Sequence, residues 1–372
     1  MLEDPARQQT QRRRTQQPFI DCDIHNYMAS DEVMLRYLDP RWHHHHKTYG
    51  HRSHSVLAFH GAPYPRLAGV GKRKDAAPPS GLTAGADFDF FRSHHLDAHP
   101  IEYGILNCLS RAGDQLYDEY DAALARAVND WQLEVWLKPE DRLRGSIVIP
   151  YENGDLSAEE IDRVGSEPRN VQILLKPRTR EPLGRRRYWP IYEAAVRNKL
   201  PVAVHFGGYS LNPISSSGWP SFYIEDHTNM AQVFQSHLIS WICEGVFERF
   251  PELRIVIVEG GFAWLPSLMW RMDKHIKRLA DEVPHVTRRP SDLVREHIRF
   301  TSQPMEEPPN AKFLEQIIEH FESDEILMFA TDYPHWDYDN PELALARLPP
   351  QMKRKIFIEN ARKFYGLPAR LD

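Results

Sequence analysis

The sequence predicts a (β/α)8 barrel, and three observations carry that prediction. Eight short runs rich in Ile, Val, Leu or Phe, most closed by Gly or Pro, alternate with longer helical patterns. No GxGxxG follows the first run, so a doubly wound dinucleotide-binding sheet loses its usual signal. Polar residues collect at the C-terminal ends of several runs, where barrel enzymes keep their sites.

The runs, in chain order, are FIDCDIH (19–25), YGILNC (103–108), RGSIVIP (144–150), VQILLKP (171–177), PVAVHFGG (201–208), LRIVIVEGG (253–261), IRFTSQP (298–304) and EILMFATDYP (325–334). Between them lie helical patterns, among them residues 114–137, 187–199, 230–250, 262–283 and 311–323. The interval 27–100 breaks the rhythm, being far longer than an ordinary strand-to-strand connection. It is expected to form a cap-like insertion over the barrel mouth. Within it GKRKDAAPPSG reads as a mobile linker or exposed tip, and the His43–His46 run as a tract that binds metal adventitiously more readily than specifically.

Composition narrows the class. The chain has 372 residues, a net charge of −6 and an apolar share that supports a sizeable core. Mild acidity gives no electrostatic case for nucleic acid or a membrane surface. No apolar run is long enough to span a bilayer. The opening MLEDPARQQTQRRRTQQP lacks a hydrophobic signal region, and residues 1–18 are expected to form a disordered tail before a barrel over 19–372. The three cysteines, Cys22, Cys108 and Cys243, are odd in number and widely spaced, which points to a reducing, cytoplasmic setting.

The chemistry sits at the strand ends. In FIDCDIH, a period of two puts Asp21, Asp23 and His25 on one face. Buried carboxylates need partners, so either a metal or a hydrogen-bond network is implied. His205 ends PVAVHFGG before two glycines, Glu259 ends LRIVIVEGG before two more, and Asp332 closes the last run with His335 just beyond. A barrel would bring Asp23, His25, His205 and Asp332 towards its top centre. Two imidazoles and two carboxylates suit one divalent first-row ion, with Zn²⁺ and Mn²⁺ the leading choices. A single strand-end histidine is more often structural; four such residues at the ends of strands one, five and eight favour metal.

FIDCDIH, PVAVHFGG, FPELRIVIVEGG, MFATDYPH and the closing ENARKFYGL together resemble the amidohydrolase-related family, the branch that holds aminocarboxymuconate-semialdehyde decarboxylase-like enzymes and some C–C bond hydrolases. The resemblance covers strand one and residues 103–367, and not the insertion. It implies Asp23, His25, His205 and Asp332 as ligands of one divalent ion, and a homodimer. Two departures stand out. Asp23 replaces the His or Glu common in the family's strand-one motif, adding charge that favours a harder ion such as Mn²⁺. Glu259 replaces a histidine that often follows strand six and moves protons.

A carboxylate can act as a general base but donates protons poorly unless burial raises its pKa. The expected reaction is therefore hydrolysis by metal-activated water of a small aromatic or unsaturated carboxylic acid-type substrate, with Glu259 and Asp332 as catalytic groups. The alternatives are a nonoxidative metal-dependent decarboxylase of such an acid and a non-catalytic binding protein on a barrel scaffold. Asn26, Tyr27, Lys176, His335 and Trp336 are the expected substrate-binding residues. Asp21, one pleat deeper than Asp23, is expected to be structural.

Overall fold

The structure, a computed structural model, describes residues 17–51, 71–109, 112–113, 115–207 and 213–370. The expected tail lies outside the described residues save for its last two, as do residues 52–70 of the insertion.

Eight strands form the wall: β1 (Phe19–Ile24), β2 (Ile101–Leu106), β3 (Leu143–Val148), β4 (Asn170–Leu175), β5 (Val202–His205), β6 (Ile255–Val258), β7 (Ile298–Thr301) and β8 (Leu327–Met328). Neighbours in sequence are neighbours in the sheet, and each pair is parallel. Each run read from the sequence overlaps one strand. Backbone bonds from Cys22 N to Phe329 O (3.0 Å), His25 N to Tyr333 O (2.8 Å) and Asp332 N to Asp23 O (3.1 Å) close the ring between β8 and β1. The fold is a (β/α)8 barrel.

β8 is shorter than its apolar run because other partners take its amides. Beyond Met328, Phe329 N donates to Ile356 O (2.9 Å) and Thr331 N to the Asp21 carboxylate (2.9 Å). The chain thus leaves the ladder while staying pinned to β1, which carries Asp332 to the mouth. The helical layer includes Asp118–Gln132, Gly154–Val164, Trp189–Arg197, Met230–Cys243, Leu265–Arg278, Pro290–His297, Ala311–Glu319 and Asn360–Tyr365. Their apolar faces, for example Leu124, Val128 and Trp131 of the first, are buried against the strands. A short helix, Tyr223–Thr228, precedes Met230–Cys243 in the β5–β6 connection.

The start of GKRKDAAPPSG is not an exposed tip. Lys72 bridges His335 in antiparallel fashion, Arg73 N donates to Pro334 O (3.0 Å) and Trp336 N donates to Gly71 O (2.8 Å). The polar composition that suggested a linker instead lets this segment pair with the loop after β8. Gly85 also approaches the strand-one end closely. Its φ is +81°, and a Cβ there would sit 2.5 Å from His25 O, so only glycine fits.

Candidate metal centre

Asp23 and His25 at the end of β1, His205 at the end of β5 and Asp332 after β8 are all fully buried. One ligand-capable atom from each lies within 4.8 Å of the others. His205 Nε2 is 3.0 Å from Asp23 Oδ2. His25 Nε2 is 2.8 Å from Asp332 Oδ1 and 3.2 Å from Asp23 Oδ1.

Local hydrogen bonds orient each group. His25 Nδ1 donates to Asn107 O (2.7 Å) and His205 Nδ1 to Phe206 O (2.6 Å). A nitrogen facing a carbonyl carries a proton, so each ring leaves its Nε2 pointing towards the carboxylates, at the position from which an imidazole ligates an ion. His25 Nε2 has no hydrogen-bond partner among the described residues. A cation between these donors relieves the repulsion, and two imidazoles with two carboxylates fit one divalent ion. Asp23 Oδ1 also accepts from Asn107 Nδ2 (2.8 Å), whose own Oδ1 accepts from Ser146 Oγ (2.7 Å) and Gln172 Nε2 (2.9 Å). The barrel interior beneath the centre is therefore a satisfied polar network.

The electrostatics agree. Burial lifts the Asp332 carboxyl well above its ordinary range, and the charges of Glu259, Asp337 and Asp23 add to the shift. Burial likewise raises Glu259. For His205 burial acts downward, but the Asp23 carboxylate outweighs it and the imidazole is pushed up to about 9. Crowded buried carboxylates are a site short of positive charge. Asp332 and Glu259 also hold left-handed backbone, at φ +62° and +56°, a strain that collects at functional sites.

The other sequence-predicted residues divide. Glu259 Oε2 lies 3.4 Å from His205 Nε2. His335 Nδ1 donates to Asp332 Oδ1 (2.6 Å), and Tyr27 OH is 3.0 Å from His335 Nε2. Trp336 lies over the His227 ring at 5.2 Å, half exposed. Asn26 instead turns its amide to Gln132 Oε1 (3.3 Å), and Lys176 is buried with Nζ donating to Ala112 O (3.1 Å). Asp21 stands outside the four-residue group. It accepts from Thr331 N (2.9 Å), Thr331 Oγ1 (2.6 Å) and His95 Nε2 (3.0 Å).

Four residues at the site were not singled out from the sequence. Asn107 could have been found, because it ends a strand-like run as the ligands do. Lys72 sits over the Tyr27 ring, 3.1 Å from its centroid, and burial lowers its ammonium to about 7. His227 and Asp337 form a second cluster with Glu259, His227 Nε2 being 3.0 Å from Asp337 Oδ2 and 3.8 Å from Glu259 Oε1. These last three residues sit on loops or a six-residue helix, where no periodicity marks them.

The chain is similar to known proteins. A model of the amidohydrolase family matches residues 20–367. A gamma-resorcylate decarboxylase from a Polaromonas species is 27% identical over 190 residues, 48% of this chain and 57% of that enzyme. One from a Rhizobium species is 25% identical over 289 residues, covering 73% of this chain and 85% of that enzyme. The match thus spans a little over half of the first relative and most of the second. Among solved structures, a 5-carboxyvanillate decarboxylase from Novosphingobium aromaticivorans, complexed with manganese and a nitrobenzoic acid, superposes with a TM-score of 0.69 at 20% identity, covering 94% of this chain and 96% of that one. No helix among the described residues is long and apolar enough to cross a membrane.

Proposed function

The chain belongs to the amidohydrolase family, and from that premise we propose that it is a nonoxidative, metal-dependent decarboxylase of a small aromatic carboxylic acid. The observation that carries the reading is the fully buried Asp23–His25–His205–Asp332 group in a chain whose curated relatives are decarboxylases. A divalent ion held by those four residues, Mn²⁺ or Zn²⁺, would act as a Lewis acid on the oxygens of the bound acid.

The chain's own residues then have separable tasks. Asn107 and Phe206, through their carbonyls, hold the two imidazoles with Nε2 facing inward. His335 and Gln303 fix the two oxygens of Asp332, at 2.6 and 3.2 Å. Phe206, Tyr223 and Trp336 supply apolar faces around His227, suited to an aromatic ring.

Hydrolysis was the expected reaction because Glu259 stands where a proton-moving histidine often does. The presence of His227 beside Glu259 removes that argument, since an imidazole reaches the same place from another element. The hydrolytic reading keeps one observation in its favour, the Glu259 carboxylate 3.4 Å from His205. Product analysis on a panel of ortho-hydroxylated benzoic acids separates the two. CO₂ release matched one-to-one with the phenol is expected. Turnover of esters, amides or C–C ketones with no CO₂ from any acid would return the reading to hydrolysis.

A further inference from the structure

We propose that His227 is the proton donor of this site, delivering its Nε2 proton to the ring carbon from which the carboxylate leaves. The inference rests on the decarboxylase reading and adds to it a residue outside the strand-end motifs.

Position comes first. His227 lies on the short helix Tyr223–Thr228 in the β5–β6 connection. Its Nε2 faces Asp337 Oδ2 at 3.0 Å and Glu259 Oε1 at 3.8 Å, and the other oxygen of Glu259 is 3.4 Å from His205. The imidazole is thus one carboxylate away from the metal group without touching any of its four members among the contacts described. The preceding residue is anchored. Asp226 is buried, and its two oxygens accept from Arg178 Nη2 at 2.7 and 2.5 Å, which ties the helix to the end of β4. A six-residue helix held this way is a defined platform rather than a drifting loop.

Surroundings come second. The rings of Phe206, Tyr223 and Trp336 stand 5.9, 5.7 and 5.2 Å from the imidazole. Trp336 is further tied to Tyr223, its Nε1 donating to Tyr223 OH at 3.3 Å. An aromatic acid entering this rim meets these apolar faces and the His227 imidazole. The His227 side chain is 13% exposed, enough to regain a proton from water after each turnover. Its two carboxylate neighbours outweigh the opposing effect of burial and keep the ring protonated, its pKa raised to about 10. Glu259 and Asp337 are then positioning residues that hold the imidazolium. The Glu259 strain, at φ +56°, goes into aiming that carboxylate.

The step balances. The Nε2–H proton adds to the carboxylate-bearing ring carbon. The bond from that carbon to the carboxylate then breaks, its electron pair restores the ring, and CO₂ leaves. Neutral His227 takes one proton from solvent, so each CO₂ costs one proton. The competing account makes His227 a structural ion-pair partner that only staples two loops.

The test compares wild type with His227→Gln and His227→Asn. Each protein is assayed for CO₂ release from ortho-hydroxylated benzoic acids, beginning with 2,6-dihydroxybenzoate. Deuterium exchange at the same ring carbon of the phenol product, in D₂O, is followed by proton NMR. Metal content and melting temperature are measured alongside. The expected result is a loss of about 10²–10⁴-fold in kcat, a parallel loss of ring exchange, KM within about threefold, and metal and melting unchanged. An active wild type with undiminished exchange in both variants would overturn the inference and leave the decarboxylase reading standing. Variants that lose metal or melting temperature in step with activity would assign His227 the structural role and also overturn it. A wild type that neither releases CO₂ nor exchanges any ring proton overturns the reading and the inference together.

Discussion

At the floor of the site, Asp23, His25, His205 and Asp332 are held by strand ends and are fully buried. At the rim, His227, Glu259 and Asp337 come from a six-residue helix, the residue after β6 and the loop after β8, and two of the three side chains reach solvent. Both regions are built from imidazoles and carboxylates. They differ in what fixes them. The floor is fixed by backbone ladders, by His25 and His205 donating to carbonyls, and by the Asn107 network beneath. The rim is fixed by ion pairs between elements, Arg178 with Asp226 and His227 with Asp337. A rigid floor suits a resident ion, whose donors must converge to within tenths of an ångström. A looser rim suits groups that exchange protons or meet substrate.

The largest expected effect is at the floor. Asp332→Ala removes one of the four donors, and the purified protein should lose bound metal and all activity. Metal analysis on protein prepared without added metal checks this. Full metal retention in the variant would move the ion, and the floor, elsewhere.

Next comes a carboxylate that looks like a ligand and is not placed as one. Asp21 accepts two bonds from Thr331 and one from His95 with no exposure. Asp21→Ala leaves those donors buried and unpaired, which should destabilise the protein by about 3 kcal/mol. Metal content of the folded fraction should be unchanged. Denaturant melts with metal analysis at low denaturant separate the two effects, and metal loss without destabilisation would erase the distinction between Asp21 and Asp23.

Third is the support beneath the floor. Asn107 Nδ2 donates to Asp23, and its backbone carbonyl, which substitution leaves in place, holds His25. Asn107→Ala should weaken metal binding by about 10–100-fold. Chelator competition reads this directly, and unchanged affinity would mean that the ladder alone holds Asp23.

These differences also explain what was legible in the sequence. The eight strands and the four floor residues were readable because a strand imposes a period of two and a barrel gathers strand ends at one point. Asp21 and Asp23 were separable for the same reason, one pleat apart. The rim was not readable. His227 sits in YIEDHT, six residues of helix with an exposed Ile224 and no apolar stripe to announce them. Lys72 looked like linker because glycine and charge mark loops without saying what the loop lies against. Lys176 shows the converse. Its place at a strand end suggested a cation for substrate, whereas its Nζ donates to Ala112 O.

The smallest expected effect is at the outer rim, and it tests how sharply the regions divide. Trp336 is 49% exposed and touches His227 and Tyr223 by ring packing alone, apart from one long hydrogen bond to the tyrosine hydroxyl. An aromatic contact of this kind contributes about 1 kcal/mol, equivalent to less than about tenfold in binding. Trp336→Ala should therefore raise KM several-fold and leave metal content and stability where they were. Its effect on kcat should stay small, because His227 remains tied to Asp337 and its helix to Arg178. Steady-state kinetics with metal analysis on one preparation gives all three readings. A fall in kcat as large as that expected for His227→Gln would show that the tryptophan helps aim the imidazole, and the rim would then be as tightly organised as the floor.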